Sequence, residues 1–246
     1  KQLSKRYLKM IFSTFNEFKK NLKKKNFSQI YAIKTNPKLE TIEKLIKLVS
    51  LNKDSFIFES VEKVKIRGRY TIFGFNPDLM IETKNNRIIQ NTNNRKITIK
   101  KNPYNYLNKL INNFNFKTSK KLPMMSAMLA GYFSYDIIRF KEKIPNNCKD
   151  DLKIPDVKLI RPQLIIIHDN EKNKIFFIQN IYSLKKIKNL KKLYLLKCDE
   201  INKFVAKINN TYNSKEHLNK NKKKNKIISN VSKKKFLNSI SKAKEL

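Results

Sequence analysis

The residues with the clearest chemical potential follow a short apolar segment. The segment Phe56–Phe58 ends at Glu59 and Ser60, and Arg67 and Arg69 come soon after it. A carboxylate can bind the ammonium group of a zwitterionic ligand, and a hydroxyl can add a hydrogen bond. Judged by these residues alone, the favoured interpretation is structural: an ion pair between Glu59 and Arg67 or Arg69 at a strand end.

The remaining candidates for chemistry have contexts that are typical of structural or solvated residues. His168 ends an apolar strand beside Asp169, and His217 lies in a lysine-rich polar segment. Two pairs of carboxylates lie in predicted turns, where Asp usually binds the local backbone: Asp150 with Asp151, and Asp169 with Glu171. We therefore predict no catalytic residue in this chain.

The two cysteines give no metal site and no clear disulfide. Cys148 and Cys198 are widely separated, and no CxxC or CxxH spacing occurs, so a zinc site is not expected. We see neither an export signal nor an apolar stretch long enough to span a bilayer, and we therefore expect a cytoplasmic protein without a membrane partner.

The elements that must position these residues form an α+β pattern. We predict a largely antiparallel, sandwich-like β-sheet with flanking helices. The predicted segments are a helix over 38–50, strands over 55–58 and 70–75, a turn at 76–78, hairpin strands from 79 to 99, a helix from Pro103, a buried strand over 124–135, a helix over 135–140, a strand over 157–168, a hairpin turn at 169–173 and a helix over 183–208. Pro162 interrupts the strand over 157–168 and predicts an edge, a bulge or a bend there.

The net charge of +37 first indicates a nucleic-acid or anionic partner. However, 49 of the 56 basic residues are Lys and only 7 are Arg, while Asn and Ile contribute 32 and 31 residues. These are the amino acids of A/T-rich codons, so base composition explains the charge without a specific nucleic-acid partner. Only 3 glycines are present, which disfavours P-loop and Rossmann phosphate sites.

Four blocks, in the correct order, resemble anthranilate synthase component I. Residues 55–82 contain FIFESVE and GRYTIFGFNPDL, which are similar to the family's FLLESVE and GRYSFIGxxPDL. Residues 122–145 are similar to LPPM…GYLGYDxVRxxExLP, and residues 150–175 to DxLxLPDxxLxRPxxxxxFDxxxxxI. Residues 229–246 are similar to SNxTxxEFxxxVxKAKEYI.

This resemblance implies a specific function. The family converts chorismate and ammonia to anthranilate and pyruvate with Mg²⁺, in the first step of tryptophan synthesis, and a glutaminase, component II, supplies the ammonia. Tryptophan inhibits by binding the N-terminal domain, where the Glu-Ser of the LLES strand is part of the site. Those positions are Glu59 and Ser60 here. Phe56 and Phe58 replace the two leucines of LLES, which would alter the shape of the effector pocket.

The resemblance also implies a domain organisation. Residues 1–208 would form the regulatory, tryptophan-binding domain, and residues 209–228 a polar linker. Residues 229–246 would open the chorismate-binding domain with a helix capped by Ser232. The catalytic residues and the Mg²⁺ ligands are expected in the rest of that domain, beyond Leu246, so we expect the chain to be inactive by itself.

Three alternatives remain. Aminodeoxychorismate synthase component I, of the folate pathway, shares the fold and the N-terminal blocks, although GRYTIFG and RPQLIII favour anthranilate synthase. A basic nucleic-acid-binding module would show steeply salt-dependent binding. A decaying gene product would have no retained activity.

Overall fold

The computed structural model of the chain describes residues 13–59, 68–93, 95–145, 147, 149–182, 189–210 and 229–245. Its α-helices are α1 (Phe15–Lys25), α2 (Leu39–Leu51), α3 (Pro103–Asn113), α4 (Leu190–Asn210) and α5 (Lys233–Glu245). Its strands are β1 (Ser28–Thr35), β2 (Phe56–Phe58), β3 (Tyr70–Lys84), β4 (Arg87–Thr92), β5 (Arg95–Ile99), β6 (Ala130–Phe133), β7 (Val157–Asp169) and β8 (Lys174–Ile181). Two 3₁₀ helices cover Met124–Ser126 and Tyr135–Phe140.

The eight strands of the described residues belong to one sheet, and the pairings between them are antiparallel. The order along the sheet is β1-β8-β7-β3-β4-β5, with β2 added to β3 and β6 added to β7. The long strands β3 and β7 pair along most of their length and give the sheet its two halves. This arrangement confirms the predicted α+β fold with a largely antiparallel sheet.

A β-bulge joins the two halves of the sheet. The register between β3 and β7 shifts between Pro77 and Leu79, where Pro77 lies opposite Pro162. Neither proline can donate a backbone hydrogen bond, so the ladder is locally weakened and the strands can bend. Pro162 was predicted to mark an edge, a bulge or a bend, and the register shift opposite it is a bulge. The predicted turn at 76–78 is wrong, because β3 continues through it with Asn76 in a left-handed conformation at a φ of +50°.

One half of the sheet, which contains β1, β8, the part of β7 after Pro162 and the beginning of β3, is buried on both faces. Within β7, Leu164 and Ile166 belong to one core cluster, which α1, α2 and α4 cover, whereas Ile165 and Ile167 belong to a second cluster under Leu122 and the residues that follow it. Alternation of side chains along a strand explains why an uninterrupted apolar run serves two cores. A third cluster packs the second half of the sheet against α3.

The structure corrects one further prediction about the elements and shows two elements for which no prediction was made. The segment 124–135, predicted as a buried strand, contains a 3₁₀ helix and the short strand β6, in which Tyr132 and Phe133 are exposed. The elements α1 and β1 were not predicted. The sequence did contain a signal for α1, since Thr14 and Glu17 form a reciprocal capping box.

The chain divides into two compact units, residues 1–212 and 213–246. In the second unit, Lys235 N–H donates to the Ser232 hydroxyl at 3.3 Å, which confirms the predicted cap of α5. Most of the predicted linker, and the first residues of the helix predicted over 183–208, lie outside the described residues. Among the described helices, none is both long and apolar enough to cross a membrane.

Candidate functional site

A cavity of about 470 Å³ lies where β2 ends, and three of the residues singled out in the sequence line it. It is lined by Ile57, Phe58, Glu59, Gly68, Arg69, Tyr70, Ile72 and Met125. Glu59 is exposed to solvent at the cavity, whereas Ser60 and Arg67 lie outside the described residues. The structure therefore brings Glu59 and Arg69 to one concave surface.

Two elements hold the walls of this cavity. The strand β2 pairs with β3 in a register that sets Phe58 opposite Ile72. Met125 lies in the 3₁₀ helix, where the neighbouring Ser126 carbonyl accepts hydrogen bonds from Gln29 at 3.1 Å and Asn180 at 2.9 Å. Because Gln29 and Asn180 are buried on β1 and β8, the sheet fixes the position of the methionine wall.

The positive charge of Arg69 is already paired. Its Nε and Nη2 donate to the two carboxylate oxygens of Asp169 at 3.0 and 2.8 Å, and its Nη1 lies 2.8 Å from Glu171 Oε2. The predicted ion pair between Glu59 and Arg69 is not among the ion pairs of the described residues. The carboxylate of Glu59 therefore does not have Arg69 as its partner.

The protonation behaviour of the Arg69–Asp169 pair follows from its geometry. The hydrogen bonds to Asp169 raise the pKa of Arg69 above its usual value. Burial by itself would raise the pKa of Asp169, but the hydrogen bonds from Arg69 and from the Lys172 N–H hold that pKa below its usual value. The pair therefore stays charged at neutral pH and forms a fixed, polar end of the cavity.

The cavity combines one available carboxylate with an apolar body. Phe58 is 43% exposed, and its ring centroid lies 4.8 Å from that of Phe56. Together with Ile72 and Met125 it offers aromatic, aliphatic and thioether surface. Such a site suits a ligand that carries a cationic group at one end and a flat apolar group at the other. Reasoning from the sequence singled out Phe58 as a pocket residue but missed Met125, although the LPMM block pointed to that segment.

The other candidate residues are placed in structural roles. His168 is partly buried opposite Thr71 on β3, its Nε2 has no hydrogen-bond partner in the described part of the chain, and burial lowers its pKa. The adjacent Asp169 binds Arg69. Asp150 accepts a hydrogen bond from the Lys153 N–H at 3.0 Å and pairs with Lys84 at 2.7 Å, as expected for a turn carboxylate.

Of the two cysteines, Cys198 lies within the described residues. Cys198 is a buried free thiol on α4, and Cys148 and His217 lie outside the described residues. Among the residues that the structure describes, no group of three or more His, Cys, Asp or Glu side chains is placed to hold a metal ion. The described side chains therefore do not fit a Mg²⁺ site.

Comparison with known families places the chain. The model of the chorismate binding enzyme family matches residues 53–246, which is well over half of the chain. The chain belongs to this family. As a chorismate-binding family member, it is similar to anthranilate synthase component 1 of Acetivibrio thermocellus, with 30% identity over 222 residues that cover 89% of the chain and 44% of the relative.

The chain is also similar to one further relative and to one solved structure. The component 1 of Cereibacter sphaeroides is 29% identical over 168 residues, covering 66% of the chain and 34% of the relative. The crystal structure of anthranilate synthase component I from Streptococcus pneumoniae TIGR4 matches 58% of this chain and 31% of that chain, with 24% identity and a TM-score of 0.43. The chorismate-binding family member described here spans less than half the length of these relatives.

Proposed function

We propose that this chain carries the tryptophan-binding, regulatory part of an anthranilate synthase component I. The observation that carries the proposal is the cavity at the end of β2, where Glu59 meets the apolar walls formed by Phe58, Ile72 and Met125. Its support from outside the site is the membership of the chorismate binding enzyme family and the similarity to component 1 of two bacteria.

The whole protein's reaction is part of the same proposal. It would convert chorismate and ammonia to anthranilate and pyruvate, with a glutaminase component II as the source of ammonia. Mg²⁺ would supply electrostatic stabilisation of the negatively charged substrate. Since the described side chains hold no site for this ion, we assign Mg²⁺ binding and catalysis to residues other than those described.

Tryptophan would occupy the cavity in one orientation. Its ammonium group would lie against the Glu59 carboxylate, and the Ser60 hydroxyl would add a hydrogen bond, as the family resemblance implies. Its indole would pack on Phe58 and Met125. A volume of about 470 Å³ is in the range of small-molecule sites, roughly 300–1,000 Å³. Because Asp169 and Glu171 neutralise Arg69, we do not assign the ligand carboxylate to that guanidinium.

The test is isothermal titration of L-tryptophan into the longest natural protein that contains this sequence. We expect saturable binding that Glu59→Gln weakens by at least roughly tenfold, since it removes a charge-assisted hydrogen bond. Ser60→Arg should abolish binding, because it replaces the hydroxyl that the family resemblance assigns to the site with a bulky cationic side chain. The matched control is Glu43→Gln, which removes an exposed carboxylate on α2 and should leave the affinity unchanged.

Two analogues make the same test sharper. Tryptamine keeps the ammonium group and lacks the carboxylate, whereas indole-3-propionate keeps the carboxylate and lacks the ammonium group. If Glu59 binds the ammonium group, indole-3-propionate should lose more affinity than tryptamine. The proposal is wrong if the wild-type protein does not bind tryptophan, or if the Ser60→Arg protein binds it normally.

A further inference from the structure

A second cleft, separate from the cavity at Glu59, lies between α1, the beginning of β1 and the loop 117–121. Its volume is about 460 Å³, and it shares no lining residue with the first cavity. The residues that form it come from segments that are distant in the sequence, so only the folded chain creates it. Neither the proposed catalytic reaction nor the tryptophan site uses this cleft.

The floor of the cleft is polar and deeply buried. Ser13, Ser28 and Gln29 line it, with exposed fractions of 3%, 2% and 7%. The hydroxyl of Ser28 has no hydrogen-bond partner among the described residues, whereas Ser13 Oγ accepts the Tyr31 N–H at 3.3 Å. A buried hydroxyl without a partner costs free energy, and an oxygen-rich ligand that reached it after a small adjustment would remove that cost.

One wall of the cleft is held in place by the same buried amide that supports Met125. Gln29 Oε1 accepts the backbone N–H of Ser119 at 3.1 Å, and Gln29 Nε2 donates to the Ser126 carbonyl. The loop that carries three of the basic residues is therefore fixed to β1 at a buried position. The cleft is consequently a preorganised part of the fold, and a ligand need not order this wall.

The rim of the cleft carries four lysines. They are Lys20 on α1 and Lys117, Lys120 and Lys121 on the loop, all exposed. No ion pair with a described residue is recorded for any of them. The single acidic residue of the lining, Glu17, accepts the Thr14 N–H at 3.2 Å through Oε2 in the capping box of α1. Four lysines thus line the cleft against one carboxylate that already has a partner.

We propose that this cleft binds a small organic oxyanion with two or more negative charges, carried by phosphate or carboxylate groups. Positive charges that line a concave surface focus the potential there, and lysine is a common phosphate ligand. The buried hydroxyls of the floor provide directional hydrogen bonds that a freely solvated lysine surface lacks. The cleft is larger than a single phosphate needs, which favours a metabolite-sized anion.

The experiment must separate this cleft from the general basicity of the chain. Pyrophosphate and citrate are titrated separately into the 246-residue protein by calorimetry at about 0.15 M salt, where exposed distant charges are largely screened. We expect one saturable site for at least one probe. Pyrophosphate binding alone would identify a phosphate ligand, and citrate binding alone a carboxylate ligand.

Two double variants with the same loss of charge complete the test. Lys117→Gln with Lys120→Gln should weaken binding by at least roughly tenfold. Lys191→Gln with Lys192→Gln, at exposed positions of α4, should change the affinity by less than about twofold. Ser28→Ala should weaken binding and leave the unliganded protein at least as stable as the wild type. Equal losses in both double variants, or no saturable binding to the wild type, would overturn the proposal.

Discussion

At the scale of single residues, two arginines use their planar guanidinium groups to bind a carboxylate with two hydrogen bonds. Arg69 donates two hydrogen bonds to the carboxylate of Asp169. Arg161 donates two hydrogen bonds to the carboxylate of Asp78, with both donor–acceptor distances at 2.8 Å. The first pair links the residue that precedes β3 to the end of β7, and the second links β3 itself to β7. Lysine outnumbers arginine seven to one in this sequence, yet a lysine ammonium cannot form a two-pronged contact with a carboxylate.

The pair at the bulge gives a direct test of this argument. Arg161 and Asp78 are 19% and 10% exposed, and the guanidinium also stacks on Tyr182 at 4.4 Å. We expect Arg161→Lys to lower the free energy of unfolding by about 1.5–3 kcal/mol, the range for a lost hydrogen bond to a charged group. Urea denaturation monitored by circular dichroism measures it.

The control for that substitution is Arg87→Lys. Arg87 is exposed at the start of β4, so the same chemical change should leave the urea midpoint almost unmoved. If the two variants were equally stable, the two-pronged contact between Arg161 and Asp78 would contribute nothing measurable to the free energy of unfolding.

At the scale of elements, two glycines decide how strands approach each other. The ring of Phe56 on β2 occupies the space above Gly74, where a Cβ would overlap its atoms, and Phe56 lies directly opposite Gly74 in the register. At Gly131 on β6, a Cβ would instead meet the backbone carbonyl of Lys158. The first conflict involves a side chain that can be trimmed, whereas the second involves backbone.

This difference predicts a selective rescue. Gly74→Ala should destabilise the protein by about 1–3 kcal/mol, as expected for overpacking, and should disturb the strand that carries Glu59. Adding Phe56→Leu, which restores the leucine of the LLES motif, should recover most of that loss. The effects of the two substitutions on stability are then not additive. Thermal or urea unfolding of the four proteins in the cycle measures the coupling.

Gly131→Ala is the control for the rescue. Its stability should not improve when Phe56→Leu is added, because a carbonyl oxygen of the neighbouring strand remains in the way. Strict additivity in the Gly74 and Phe56 cycle would contradict the packing that the structure shows.

At the scale of the whole molecule, the charge of +37 acts on stability and on binding. Lysine and arginine far outnumber aspartate and glutamate. Several of the few carboxylates already form ion pairs, such as Asp169, Asp78 and Asp150. Most lysines therefore have no carboxylate to neutralise them, and they repel one another. Like-charge repulsion destabilises the compact state and is screened by salt, with a Debye length of about 30 Å at 0.01 M and about 8 Å at 0.15 M.

The expected consequence is that salt stabilises this protein. The melting temperature should rise between about 0.01 and 0.15 M NaCl, and each 1 kcal/mol gained corresponds to roughly 2–4 °C for a chain of this size. Differential scanning calorimetry with chloride as the anion measures the rise. A melting temperature that falls or stays constant over this range would show that self-repulsion is negligible.

The sequence by itself determined those features that neighbouring residues encode. The strand over 157–168, the hairpin turn at 169–173 and the helix that begins at Pro103 were all predicted, because side-chain period and turn chemistry act over a few residues. The same is true of Glu59 at the end of an apolar strand, which the family resemblance then connected with a ligand.

Only the tertiary structure decided which distant residues meet. Arg69 binds Asp169, 100 positions along the chain, instead of the nearby Glu59, because the antiparallel register of β3 and β7 sets Tyr70 opposite Asp169. In the same register, the segment 76–78 forms a bulge and not the expected turn. The Gln29 and Asn180 amides hold the 3₁₀ helix that places Met125 in the cavity wall. Such pairings depend on the free energy of the whole sheet and its two cores, which local sequence patterns do not contain.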